Sequence, residues 1–91
     1  MKPLCREINK DKVCLIGMDL SKSKYDGMNY YANKELRAGF KMSRDDIIVN
    51  KHLCREHKAR VLKHELIERR LMKRGMKYKN ADMIATKYEK R

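Results

Sequence analysis

The feature that most constrains this chain is the stretch of residues 54–74, which contains neither glycine nor proline. Basic residues crowd its last turn and Gly75 follows it, a combination that marks the C-terminus of many helices. We therefore predict a long α-helix from about Cys54 to Arg74. A chain of 91 residues is long enough for one small domain, so we treat residues 1–91 as a single unit built around this helix.

One face of the predicted helix mixes apolar and titratable side chains. At about 100° per residue, one sector of the helical wheel contains His57, Val61, His64, Glu65, Glu68, Leu71 and Met72. Basic residues lie roughly opposite, and Leu62 and Leu66 form a flank. Burial of a carboxylate is costly unless the carboxylate is paired or coordinates a metal. The sequence leaves two explanations open, which are an ion-pair network with arginines such as Arg37 or Arg44, and a metal site.

Residues 63–69 read KHELIER, which begins like the zinc-protease motif H-E-x-x-H but has Glu68 in place of the second histidine. His64 and Glu68 are four residues apart, so they share a helix face about 5–6 Å apart and can bind one ion. Glu65 is offset from both, where it can act on a metal-bound water as the general base. The non-metal interpretation is an ordinary charged helix, in which Glu65 pairs with Arg69 and His64 is a satisfied core histidine.

A catalytic zinc site needs a third protein ligand and one open position. A second helix is predicted from about Asn80 to Glu89, with Asn80 as its N-cap. Asp82 is the first candidate for the third ligand and Glu89 the second, because they are seven residues apart and share a face. Ala85 lies between them and would allow close helix packing. His57 is expected to support a ligand, not to bind the metal itself.

The remainder of the chain predicts a small β element. Val13–Ile16 is an apolar run that fits a strand, and Ser21–Gly27 is turn-like. Tyr30–Gly39 suits a short helix with Gly39 as its C-terminal cap. Ile47–Asn50 contains three β-branched residues and is the best strand candidate. We therefore predict a mostly helical α+β domain with two strands that pair, followed by the long helix and a C-terminal helix.

The charge balance offers a second function. The chain has 24 lysines and arginines against 12 acids, a formal net charge of +12. Such a surface attracts polyanions, although it also serves solubility alone. A nucleic-acid-binding surface, with Tyr78 and Tyr88 for stacking, would use Lys63, Arg70, Lys73, Arg74, Lys77 and Lys79. In that case the KHELIER helix is purely structural, unless both features combine in a metal-dependent nuclease.

The cysteines and the lack of long apolar runs bear on location. Cys5, Cys14 and Cys54 are odd in number and lack C-x-x-C spacing, so we expect free thiols in a reducing cytoplasm. No apolar run resembles a signal peptide or reaches transmembrane length, and we expect no membrane partner. Cys54 and His57 have C-x-x-H spacing, but a single pair does not define a zinc site.

Several separated segments occur together in one order: Tyr25–Gly27, Ala32–Leu36, Ile47–Val49, Leu62–Glu68, Leu71–Met72, Gly75, Tyr78–Asp82, Ala85 and Glu89. Over residues 25–89 the chain resembles small zincin-like metallopeptidase domains of phage, mobile-element and prokaryotic proteins, as an HExxE variant. The resemblance implies a minimal zincin fold, a zinc ion and a peptide or protein substrate.

One departure from this family concerns the metal. Similar sequences often carry a histidine where this chain has Asp82. A site with two carboxylates favours a harder metal, such as manganese or magnesium, and an inactive, structural version of the fold is the alternative. For an active enzyme, we expect the strand Ile47–Val49 to offer an edge to an extended peptide.

Overall fold

The computed structural model describes residues 4–89. They form seven elements: β1 (Leu4–Ile8), β2 (Asp11–Met18), β3 (Gly27–Asn29), α1 (Tyr30–Leu36), β4 (Asp46–Asn50), α2 (Arg55–Lys73) and α3 (Tyr78–Glu89). The predicted α+β class is confirmed, as are the long helix and the helix that follows it. The sheet has four strands where two were predicted.

The four strands lie in the order β1-β2-β4-β3. The two predicted strands are β2 and β4, and they pair in parallel, while β1 pairs with β2 and β3 pairs with β4 in antiparallel fashion. Strand β1 has no alternating pattern in the sequence because four of its five residues are exposed, and β3 is too short to show one because it has only three residues. Since β4 lies inside the sheet, the prediction that Ile47–Val49 offers a peptide-binding edge is wrong. The edges are β1 and β3.

Helix α1 ends earlier than predicted, because the chain turns at Arg37. This residue adopts left-handed backbone geometry with φ 53°, and its N–H donates to the carbonyl of Asn33. The Asn33 side chain donates to the carbonyl of Phe40 at 2.7 Å and accepts from its N–H at 3.0 Å. Gly39 has φ +84° but lies beyond the turn, so its prediction as the helix cap is wrong.

Helix α3 begins two residues earlier than predicted. The N–H of Tyr78 donates to both carboxylate oxygens of Glu35, at 3.0 and 3.2 Å. Glu35 thereby satisfies a free amide at the helix N-terminus, where a negative charge is favourable. Asn80 is inside the first turn and does not cap the helix, so that prediction is wrong.

Two of the three cysteines form a disulfide. Cys5 lies directly opposite Cys14 in the register of β1 and β2, and the two sulfurs are bonded. The prediction of free thiols is therefore wrong for this pair, because strand pairing brings together residues that sequence spacing alone does not connect. Cys54 is free and exposed. Since disulfides persist mainly in oxidising compartments, the cysteines do not support the predicted cytoplasmic location.

Helix α2 packs between the sheet and α3. Val61 and Met72 are buried on it, as the helical wheel predicts, together with Glu65, Glu68 and Arg69. Ala81 and Ala85 of α3 are fully buried, which agrees with the expected close approach of the two helices. Within residues 4–89, no helix has both the length and the apolar character required to span a membrane.

Candidate metal centre

A cavity of about 300 Å³ lies between β3, α2 and α3. It is lined on the sheet side by Gly27 and Met28, and by Tyr25 and Asp26 from the preceding loop. On the helical side it contains every residue predicted for the metal site: His64, Glu65, Glu68, Asp82 and Glu89. We refer to these five residues as the acidic cluster. The structure therefore brings together side chains from two helices that the sequence could only place on neighbouring faces.

His64 is the centre of the acidic cluster. Its Nε2 atom lies 2.9 Å from Oε2 of Glu68 and 2.9 Å from Oδ1 of Asp82. Its Nδ1 atom lies 3.1 Å from Oε1 of Glu89. The two candidates for the third ligand therefore meet opposite edges of the imidazole. Asp82 shares a ring nitrogen with Glu68, whereas Glu89 contacts the other nitrogen.

Asn29 donates hydrogen bonds to the acidic cluster from the end of β3, and the sequence did not predict this role. Its Nδ2 donates to Oε1 of Glu65 and to Oε1 of Glu68, each at 3.0 Å. Its Oδ1 accepts from the N–H of Ala32 at 3.0 Å and so caps α1. Because the cap fixes which end of the amide faces the helix, both amide hydrogens point to the glutamates. An asparagine just before a helix is a recognisable N-cap signal, but nothing in the sequence connects it with α2.

Gly27 allows α2 to approach β3 closely. A Cβ atom at this position would lie 2.5 Å from Cγ1 of Val61, and 3.1 Å and 3.2 Å from Cγ and Oε2 of Glu65. Real Cβ atoms are essentially never found so close to another carbon. A glycine here therefore lets the Glu65 side chain lie directly against the strand.

Burial and crowding shift the acid–base properties of the cluster. Burial raises the pKa of Glu65 to about 8, and the nearby charge of Glu68 acts in the same direction. Burial also raises the pKa of Glu68. The hydrogen bond to Glu68 raises the pKa of His64 to about 9. At neutral pH without a metal, His64 is therefore an imidazolium that faces carboxylates, and Glu65 is largely protonated.

Two sets of donor atoms are available for a cation. Donor atoms of His64, Glu65 and Glu68 lie within 4.8 Å of one another. Alternatively, Asp82 joins His64 and Glu68, and Glu65 is left to act on water. Zinc bonds of about 2.0–2.2 Å in tetrahedral geometry separate donor atoms by about 3.4 Å. The two 2.9 Å contacts of His64 Nε2 would thus lengthen by about half an ångström to admit an ion.

The buried carboxylates of α2 do not form the predicted ion-pair network with arginines. Arg69 is buried, but its Nε donates to the carbonyl of Arg44 at 3.3 Å and its NH2 group lies 3.8 Å from Asp45. Arg37 is exposed at the end of α1. Within residues 4–89, neither Glu65 nor Glu68 contacts an arginine, so the predicted Glu65–Arg69 pair is absent there.

The outlying candidates take little part in the site. His57 lines the cavity but is exposed. Cys54 is also exposed, and the described part of the chain contains no donor group of three that includes either residue. Tyr78, predicted to stack on bases, instead lines the acidic cavity, and burial followed by the charge of Asp82 raises its pKa to about 12.

The six basic residues predicted to bind nucleic acid are all exposed: Lys63, Arg70, Lys73, Arg74, Lys77 and Lys79. They are distributed over more than one surface. Arg70, Lys73 and Arg74 border one cavity next to the β1–β2 turn, where Lys73 Nζ lies 3.8 Å from Asp11. Lys77 borders a different cavity, beside α1. Lys63 and Arg70 border a further cavity on α2 that adjoins the first. These positions do not test nucleic-acid binding, which stays a prediction.

Comparison of the chain with protein-family models, with curated proteins and with solved structures finds no match. The resemblance to zincin-like domains consequently stays a prediction.

Proposed function

We propose that this protein is a metal-dependent hydrolase of zincin-like type, most simply a metallopeptidase. The observation that carries the proposal is the convergence of one imidazole nitrogen and two carboxylates from different helices at the floor of one cavity. Carboxylates at this density need a compensating positive charge, which protonated His64 supplies in the metal-free protein and which a bound cation would supply in its place. A metal bound between them would be ligated by carboxylates that otherwise repel one another.

In this proposal His64, Glu68 and Asp82 hold the ion. Asp82 is preferred to Glu89 because it meets the same ring nitrogen as Glu68, on the side where an ion would lie. Glu89 accepts from Nδ1 and so fixes the orientation and tautomer of the ring, a common role for a carboxylate beside a metal-binding histidine. Zinc suits the histidine, whereas the two carboxylates also suit manganese or magnesium.

Glu65 is the proposed general base. Asn29 holds its Oε1 atom, which leaves Oε2 for a water in the cavity. A carboxylate whose pKa lies near working pH can accept a proton from the attacking water and return it to the leaving amine. A bound dication would supply the Lewis acidity that polarises a carbonyl and makes water more acidic.

The proposed substrate is a peptide or protein segment. The edge strand β3 lines the cavity through Gly27 and Met28, and an edge strand has free backbone groups that an extended peptide can pair with. This replaces β4 as the docking strand. The cavity volume lies at the low end of the range for ligand sites, about 300–1,000 Å³, so most of the substrate would remain outside it.

The first experiment measures metal content by mass spectrometry in untagged wild-type protein, His64→Ala and His57→Ala. His57 is the matched control because it lies on the same helix and cavity, and within residues 4–89 it forms no hydrogen bond or ion pair with the acidic cluster. We expect about one metal per chain in wild type and His57→Ala, and none in His64→Ala. A wild-type protein that stays folded and metal-free after addition of zinc and manganese would refute the proposal.

The second experiment tests catalysis. Glu65→Gln should retain the metal and lose hydrolysis of unstructured protein substrates such as casein. The assay includes DNA and RNA, because cleavage of a nucleic acid and not of protein would identify a metal-dependent nuclease instead.

A further inference from the structure

A second surface, unrelated to the acidic cluster, lies on the flank of α2. Two cavities, of about 240 and 360 Å³, share Ala59 and Leu62 as lining residues and so form one continuous groove between the helix and the sheet. We call it the α2–sheet groove and define it by Leu15, Val49, Ala59, Leu62, Leu66 and Ile67.

The walls of the α2–sheet groove are apolar and incompletely buried. Leu15 and Val49 come from neighbouring strands, while Leu62, Leu66 and Ile67 come from α2, and all five are partly exposed. The Leu62–Leu66 flank of the helical wheel is therefore not absorbed by the core. Covering such a surface removes apolar area from water and stabilises a complex.

The rim of the groove is basic. Lys51 and Lys58 border the smaller cavity, and Lys63 and Arg70 border the larger one. Among the described residues, neither cavity has an acidic lining residue. The two sites thus differ in charge, since carboxylates dominate the cavity of the acidic cluster and only cations border the described part of the groove. Complementarity of charge selects partners by sign, and here it selects an acidic one.

The length of the groove fits a helix. Lys58 and Arg70 are twelve residues apart on α2, which corresponds to about 18 Å at 1.5 Å per residue. A partner helix of about three turns spans this distance and presents apolar side chains at i, i+3, i+4 and i+7. Within the described residues no aromatic side chain lines either cavity, so the groove lacks the stacking platform typical of single-stranded nucleic-acid sites.

We propose that the α2–sheet groove binds an acidic amphipathic helix of a partner protein. The apolar face of that helix lies against Leu62, Leu66 and Ile67, and its acidic residues pair with Lys58 and Arg70. This surface is independent of the metal, so binding does not require the acidic cluster.

The test starts from the immobilised full chain and a displayed library of random peptides of about 16 residues, long enough for the helix described above. We expect the selected peptides to be acidic with apolar residues at helical spacing. One synthetic peptide is then titrated by fluorescence anisotropy against wild type, Leu62→Ser, Lys58→Glu and Arg70→Glu. Lys79→Glu is the control, because Lys79 is exposed on α3 and lines neither cavity.

We expect each groove variant to weaken binding about tenfold, and Lys79→Glu and Glu65→Gln to leave it unchanged. Higher salt should weaken binding to the wild type. Circular dichroism checks the fold, and the two charge reversals alter the rim without touching the apolar walls, so they keep the test valid if Leu62→Ser unfolds.

Three results would overturn the proposal. The first is a set of selected peptides without acidic residues or helical apolar spacing. The second is affinity that falls in Glu65→Gln but not in the groove variants, which would place the peptides in the metal cavity. The third is occupation of the α2–sheet groove by a different molecule. A second copy of the chain would appear in sedimentation as a wild-type dimer that Leu62→Ser dissociates, and a nucleic acid would appear as an oligonucleotide that displaces the peptide.

Discussion

Asn29 provides the sharpest test of how the buried glutamates are held. Asn29→Asp preserves the shape of the side chain and the oxygen that caps α1, but it replaces the NH2 group that donates to Glu65 and Glu68. A donor between two carboxylates thereby becomes a third carboxylate. We expect a large loss of stability in the metal-free protein, and the loss should depend on pH.

The magnitude follows from the two hydrogen bonds. A hydrogen bond to a charged group contributes about 1.5–3 kcal/mol, so loss of both lowers the free energy of unfolding by about 3–6 kcal/mol at pH 8. Domains are stable by only about 5–15 kcal/mol, and the loss corresponds to a fall in Tm of about 15 °C or more. At pH 5 the carboxyl groups can share protons, and the cost should fall to below about 2 kcal/mol.

Urea denaturation with a chelator present, at pH 5 and pH 8, measures both values. Asn33→Asp is the matched control, because Asn33 also uses its amide in a half-buried hydrogen bond, donated to the carbonyl of Phe40. No glutamate of the acidic cluster contacts it in the described part of the chain. The control should lose about 1–2 kcal/mol, with little change between the two pH values.

Equal destabilisation of the two variants at pH 8 would show that the Asn29 amide does not restrain the glutamates. A cost for Asn29→Asp that is the same at both pH values would refute the reasoning about carboxylate repulsion, even if the variant is strongly destabilised.

Three further predictions concern the strand contact and the protonation of the site. Gly27→Ala should lower the free energy of unfolding by about 1–3 kcal/mol, because its Cβ would lie 2.5 Å from a methyl of Val61. Gly17→Ala is the control, because the nearest atom to its Cβ would be 3.6 Å away. It should leave the free energy of unfolding nearly unchanged in the same urea titration. The pKa of Glu65 is raised to about 8, chiefly by burial, and that of His64 to about 9, chiefly by a carboxylate hydrogen bond. The folded protein thus binds more protons than the unfolded chain, so the free energy of unfolding of the metal-free protein should fall as pH rises from about 5 to 9. A free energy of unfolding that does not change over this pH range would contradict these pKa shifts. Zinc that binds at the site must displace the protons of Glu65 and His64. Saturating zinc should therefore raise Tm more at pH 8 than at pH 6 in thermal melts. An equal rise at both pH values would argue against ligation by His64.

Helical periodicity accounts for the part of the site that the sequence could predict. The i, i+4 relation joins His64 to Glu68, and the short link that contains Gly75 brings a second helix against the first. Asp82 and Glu89 then fall on the facing side because they are seven residues apart. The choice between them depends on which ring nitrogen each contacts, and only side-chain geometry gives that information.

Strand register accounts for the part that the sequence could not predict. Asn29 forms a hydrogen bond with Glu65, which lies 36 positions further along the chain. Asn29 belongs to β3, and a strand of three residues is too short to show an alternation of apolar and polar residues. Cys5 meets Cys14 because β1 and β2 pair in one register, and β1 is too exposed to look like a strand. Such contacts depend on pairing between distant segments, whereas helix propensity and spacing are local properties.

The position of β4 inside the sheet has a consequence for the order of folding. Strand β2 can pair with β1 as a hairpin before β4 is made, whereas β3 pairs with β4 and with no other strand of residues 4–89. The link between β2 and β4 spans residues 19–45, and closing a long loop before its contacts form slows folding. During synthesis, β3 has no pairing partner until β4 has left the ribosome, and the acidic cluster is incomplete until α3 has followed. For the proposed metal site, this order predicts that a cation would meet all of its ligands only after α3 has been made, so metal should enter the folded chain.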